Sequence, residues 1–146
     1  MINAKTFFSD EQKQSIKEAI AQAEKNTSGE IRVHIENSFK GQVVARAALI
    51  FRMLKMDKTE LRNGVLIYLA IENRQFAIIG DAGINQVVPE NFWDQIKDVM
   101  TGHFREGKFV EGLRTGIQMA GEQLKRNFPY QDDDRNELSD EISFDE

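Results

Sequence analysis

The chain has 146 residues, 40% of them hydrophobic and 29% charged, with a net charge of −5 and no cysteine. That length suits one domain with its own core, and the lack of cysteine excludes disulfides, thiolate metal sites and cysteine nucleophiles. Only His34 and His103 could supply imidazole. A bound metal is therefore expected to take oxygen ligands, as calcium, magnesium and manganese do.

The opening residues, MINAKTFFSDEQ, show neither an apolar secretory core nor a small-residue cleavage pattern. Ser9 and Gln12 have the spacing of a capping box. Ile16, Ala19, Ile20 and Ala23 follow at helical spacing and predict a helix ending near Asn26. Asn26-Thr27-Ser28-Gly29 breaks it. Ile31, Val33 and Ile35 then alternate with Arg32, His34 and Glu36, the pattern of a half-buried strand over 30–37. Lys40-Gly41 opens a second helix, with Val44, Ala47, Ala48 and Phe51 on its apolar face. Arg46, Arg52 and Lys55 interrupt that segment, which is too short to span a bilayer. No membrane insertion is expected, and the cytoplasm is the expected compartment.

Asn63-Gly64 leads into VLIYLAI, a continuous apolar run that predicts a central strand over 64–71, covered on both faces. Glu72-Asn73-Arg74-Gln75 predicts a hairpin, and FAII returns as a strand over 76–80. Gly80-Asp81-Ala82-Gly83 is a turn, and Pro89 suits the first turn of a third helix. Phe92, Trp93, Ile96, Val99 and Met100 form that helix's apolar face. A fourth helix, from Phe109 to Arg126, points Leu113, Ile117 and Leu124 inward. Gly112, Gly116 and Ala120 add a stripe of small residues at intervals of four, suited to close helix packing.

The residues after 130 carry eight acids against Arg135 alone, which leaves 1–130 near neutral. They read as a disordered acidic tail, 131–146, beside a single domain, 1–130. Asp132, Asp134 and Asn136 imitate an EF-hand, but Glu137 and Ser143 stand where its glycine and final glutamate belong, which rejects one. Elements in this order predict an α/β fold, a three-layer α/β/α sandwich. Its mixed sheet has at least three main strands flanked by about four helices.

A β-α-β crossover makes the first two strands parallel, and the hairpin makes the third antiparallel to the second. One end of the sheet then collects Glu30, Asn63 and Asp81, with Glu90 and Asp94 a short connection away and one helical turn apart. Carboxylates beside a glycine-bearing turn have the chemistry of a calcium site, the glycines bending the chain so that carbonyls face the ion. The same residues also suit a plainer reading: Asp81 capping a turn or short helix, Glu90 at a helix start, and Asp94 on the surface.

The chain resembles the TPM domain family over about residues 9–128. The matching features are Glu30-Ile31-Arg32-Val33, the segment NGVLIYLAIENRQFAIIGDAGI (63–84) and HFREGKFVEGLRTGI (103–117). The resemblance implies a three-layer sandwich and, as in some members, calcium or another divalent cation at acidic loops on one sheet edge. It also implies an acid phosphatase as one outcome, a thylakoid member linked to photosystem II repair having been so described. Three functions stay open: a cation-binding regulatory or interaction module with Ca2+ (or Mg2+/Mn2+), a metal-dependent acid phosphatase using the same edge, and a structural domain without a metal. No cysteine, histidine-cluster or Asp-x-Asp phosphatase pattern falls within 1–130, so no catalytic residue is assigned. Arg46, Arg52 and Lys55 lack interleaved aromatics, and no nucleic-acid partner is expected. Any protein partner stays unidentified.

Overall fold

The Ser9 hydroxyl accepts a hydrogen bond from the Gln12 backbone N–H, and the Ser9 N–H donates to the Gln12 side-chain carbonyl, closing the capping box that starts helix α1, Asp10–Glu24. The computed structural model of the protein describes residues 3–130 and 142–144. Strand β1 is Glu30–Glu36, β2 is Gly64–Ala70 and β3 is Gln75–Gly80. Between β1 and β2 lie helix α2, Val43–Met53, and a 3-10 turn at Met56–Lys58. After β3 come α3, Ala82–Asn85, α4, Phe92–Arg105, and α5, Phe109–Asn127. A two-residue strand, β4, Ser143–Phe144, completes the sheet.

The sheet has the order β3-β2-β1-β4. β1 runs parallel to β2, with Glu30 opposite Gly64, and β2 runs antiparallel to β3, with Val65 opposite Gly80. The predicted mixed α/β architecture is therefore the observed one, as is the gathering of three strand ends on one edge.

Strand alternation sorts the core into two layers. Ile31, Val33, Ile35, Val65, Ile67 and Leu69 face α1, α4 and α5, where Ile16, Ile20, Ile96, Ile117 and Leu124 are fully buried. Leu66, Tyr68, Ala70 and Ala77 face α2 through Ala47, Ile50 and Phe51. The glycine stripe of α5 does what its spacing predicts. A Cβ on Gly112 would run into the Phe104 ring, and one on Gly116 would lie 2.5 Å from the Met100 sulfur, so α4 seats directly on the α5 backbone.

Four expectations shift. The buried face of α2 is Ala47, Ile50 and Phe51, while Val44 is exposed, because the helix starts at Val43 and is rotated relative to the predicted stripe. That helix ends at Met53, and Lys55 enters the left-handed region at φ 60°. Residues 89–91 form a turn before α4, with the Phe92 N–H donating to the Pro89 carbonyl, so the third predicted helix starts later than Pro89. Ile142, Ser143 and Phe144, assigned by sequence to the acidic tail, instead meet the sheet: Ser143 and Phe144 pair in parallel with His34 and Ile35, and Ile142 is buried in the main core. The acidic run and the EF-hand imitation around Asp132–Asn136 lie outside the described residues.

Candidate functional site

The edge predicted to hold a cation is stitched by backbone hydrogen bonds. Glu30 N–H donates to the Asn63 carbonyl, Asp81 N–H to Gly64 and Gly83 N–H to Arg62. Glu30, Asn63 and Asp81 are all buried here, and the Asn63 amide donates to the Ser28 hydroxyl. The sequence-based placement of these three residues on one edge therefore holds. Glu90 and Asp94 do not join them: both are exposed, Glu90 in the turn before α4 and Asp94 in its first turn. Among the described residues, no three acidic or histidine side chains form a group able to hold a metal ion.

Asp81 has a partner that the sequence reading missed. Arg62 grips its carboxylate with both prongs, Nε to Oδ2 at 2.7 Å and Nη2 to Oδ1 at 2.8 Å, and the Ala82 N–H adds a third bond at 2.8 Å. Asp81 thus caps α3, the plainer of its two expected roles. The carboxylate is 6% exposed, whereas the Arg62 side chain is 50% exposed. Arg62 itself sits at φ 53°, a left-handed conformation uncommon outside glycine and asparagine. The guanidinium pKa is raised, chiefly by the hydrogen bonds it donates to Asp81 and least by the charge of Asp57. No spacing rule links position 62 to position 81; the signal available was a cation flanking Asn63-Gly64 at the start of a strand that pairs with Gly80.

Gly80 and Gly83 also prove to have a different reason from the expected one. Neither has a positive φ. A Cβ at Gly80 would collide with the Trp93 ring, and one at Gly83 would collide with the carbonyls of Leu61 and Arg62. These glycines are selected by space, and they let α3 press against the loop that carries Arg62.

That same loop holds two buried oxygens, Asp57 Oδ1 and Thr59 Oγ1, with no hydrogen-bond partner among the described residues. A buried polar atom left unmatched costs on the order of 1–3 kcal/mol. The loop that carries Arg62 thus holds two hard oxygen donors, and Asp57 is near enough for its charge to act on Arg62.

A second polar cluster lies on the face of β1 that points toward α2. Glu36, 1% exposed, accepts from Arg46 Nε at 2.8 Å and Nη2 at 2.5 Å, and from the Tyr68 hydroxyl at 2.5 Å. Desolvation pushes the Glu36 carboxyl up, but the bonds from Arg46 and Tyr68 outweigh it, so the carboxyl lies below its ordinary range. The Tyr68 phenol is pushed up by burial first and by Glu36 second. The sequence signal for this cluster was Arg46 within a largely apolar helix, one turn before the buried Ile50.

His34 stacks on Tyr68 with an interplanar angle of 11°, and its Nδ1 lies 2.8 Å from Ser143 Oγ. Ser143, His34 and Glu36 thus follow one another like a hydrolytic triad, but the geometry is wrong for one. His34 Nε2 is 3.7 Å from Glu36, beyond hydrogen-bond reach, and that carboxylate is already committed to Arg46 and Tyr68. The cluster is a lock holding α2 and β4 to the sheet.

Sheet order, a β-α-β crossover and a hairpin edge strand define a mixed α/β sandwich whose strand ends gather on one edge. The family model for the TPM domain matches residues 1–123, and the chain belongs to that family. The NMR structure of the BA42 protein from the psychrophilic bacterium Bizionia argentinensis is similar over 95% of this chain and 96% of its own, with 47% identity and a TM-score of 0.88. The N-terminal domain of a P. gingivalis protein aligns with a TM-score of 0.70 at 20% identity, covering 83% of this chain and 78% of that one. The N-terminal domain of cg2496 from Corynebacterium glutamicum aligns at 0.64 and 16%, covering 81% and 74%. These last two show the fold alone. No curated protein matches. Among the described residues, no helix is long and apolar enough to cross a membrane.

Proposed function

We propose that this TPM domain is a regulatory or interaction module that binds a divalent cation, calcium before magnesium or manganese, at the edge carrying Asp81. The observation supporting this reading is the pair of unmatched buried oxygens, Asp57 Oδ1 and Thr59 Oγ1, in the loop whose Arg62 neutralises Asp81. Arg62 acts as a tethered counter-ion: half exposed, it holds the carboxylate until a cation of higher charge takes its place. Release of Arg62 frees Oδ2 and leaves Oδ1 bonded to the Ala82 N–H at a buried position, while Asn63 and the carbonyls of the 57–63 loop offer neutral oxygen ligands. Glu30, Glu90 and Asp94 complete the set first expected from sequence. In this reading Glu30 contributes negative potential at the edge, and Glu90 and Asp94 are outer acids that raise local cation concentration.

The test is a calcium titration of the full chain followed by backbone amide NMR. Shifts concentrated at 28–31, 57–63 and 80–85, with a change at the Arg62 side-chain Nε–H, are the expected result. An unchanged spectrum in these segments at millimolar calcium overturns the reading.

A further inference from the structure

We propose a second binding site at the opposite end of the sheet, specific for an anionic amphiphile with a carboxylate head and an apolar tail. An open groove of about 940 Å³ runs where β2 ends and β3 begins. Its floor is aromatic. Phe7 meets Phe109 edge-on at 5.2 Å, Phe76 meets Phe104 edge-on at 5.0 Å, and Phe104 stacks on Phe109 at 5.5 Å. Its size falls in the range of small-molecule sites, which are mostly apolar with a few convergent polar groups.

The polar groups here are all cationic or neutral. Arg74, Lys97 and Arg105 line the groove and no Asp or Glu does. None of the three cations makes an ion pair among the described residues, although the chain as a whole is acidic. Two of them come from one helix face: Lys97, Thr101 and Arg105 recur every four residues along α4 and so form a row. The third comes from the hairpin, where Arg74 takes φ 54° in a turn position that glycine or asparagine fills more readily.

Charge complementarity selects the occupant. Three unpartnered cations over an apolar floor attract an anion, and a guanidinium fork matches a carboxylate through two parallel hydrogen bonds. The aromatic floor, which a small hydrophilic anion would not use, takes an acyl chain. Concavity favours a single molecule laid into the groove over a flat lipid surface.

The test uses three probes on the full chain, each below any micellar concentration and followed by amide NMR: dodecanoate, dodecanol with the same tail, and acetate with the same head. Dodecanoate is expected to shift residues 69–76 and 97–109, to bind at least tenfold more tightly than dodecanol, and to leave acetate without measurable binding. The double variant Arg74→Gln, Arg105→Gln changes exposed residues only and is expected to lose at least tenfold in dodecanoate affinity with an unaltered thermal midpoint. Equal binding of dodecanol, dodecanoate shifts elsewhere, or an unaffected double variant each overturns the proposal. So does a groove that takes an acidic peptide but not dodecanoate.

Discussion

Replacing Arg46 with alanine tests how the Glu36 cluster holds α2 to the sheet. The substitution strips two charge-assisted hydrogen bonds from a carboxylate that is 1% exposed and leaves it the Tyr68 hydroxyl as donor among the described residues. Breaking a buried pair from one side costs about 3–5 kcal/mol. The Arg46 side chain is 29% exposed, which places the expected loss at the lower end, about 3 kcal/mol. For a chain of this size that corresponds to a fall in Tm of roughly 10 °C. The pH dependence separates this cause from lost packing. In the parent protein the Glu36 carboxyl lies below its ordinary 4.5, so its stabilisation is present above that pH and fades as pH falls through the folded value. In the variant, desolvation is opposed mainly by Tyr68, and the carboxyl rises above its unfolded value. The variant is then relieved by protonation, and its deficit relative to the parent shrinks as pH falls. Urea unfolding at about pH 7 and about pH 4.5 gives the two deficits. Equal deficits at both pH values would mean that Arg46 acts through its aliphatic stem and refute the electrostatic argument.

Gly83→Ala drives a Cβ into the carbonyls of Leu61 and Arg62, a backbone clash without rotamer relief, and is expected to cost at least about 2 kcal/mol in urea unfolding. Gly102→Ala, exposed on α4 with nothing near its new Cβ, is expected instead to stabilise by about 0.5–1 kcal/mol. Ile142→Ala empties a buried position beside β1 and is expected to lower stability by about 2 kcal/mol, measured in the same way. If residues beyond 130 lay off the domain, that substitution would have no effect.

The strand pairing was legible because each inference was local. A crossover fixes β1 parallel to β2, the hairpin fixes β3 antiparallel, and the apolar run over 65–71 marks the central strand. Glycines 112 and 116 were legible too, since a helix that sacrifices propensity at intervals of four does so to admit a neighbour. The partners of the polar residues were not legible. Arg62 and Asp81 are nineteen positions apart and meet only because a left-handed turn aims one strand entry at another strand's end. Ser143 reaches His34 across 109 positions, and an acidic composition concealed the Ile-Ser-Phe segment that completes the sheet. Gly80 and Gly83 were correctly singled out but for the wrong reason, because crowding by Trp93 and by the 61–62 carbonyls depends on tertiary contact.

The cation proposal turns on Arg62 competing with the ion for Asp81, and a paired calorimetric titration tests that most directly. Calcium affinity is measured on the full chain for the parent, Arg62→Gln and Asp81→Asn under one ionic strength. Removing the tethered counter-ion is expected to tighten calcium binding about tenfold, the equivalent of about 1.4 kcal/mol, while Asp81→Asn abolishes the site. Weaker binding in Arg62→Gln, or calcium affinity unchanged in Asp81→Asn, would contradict the account.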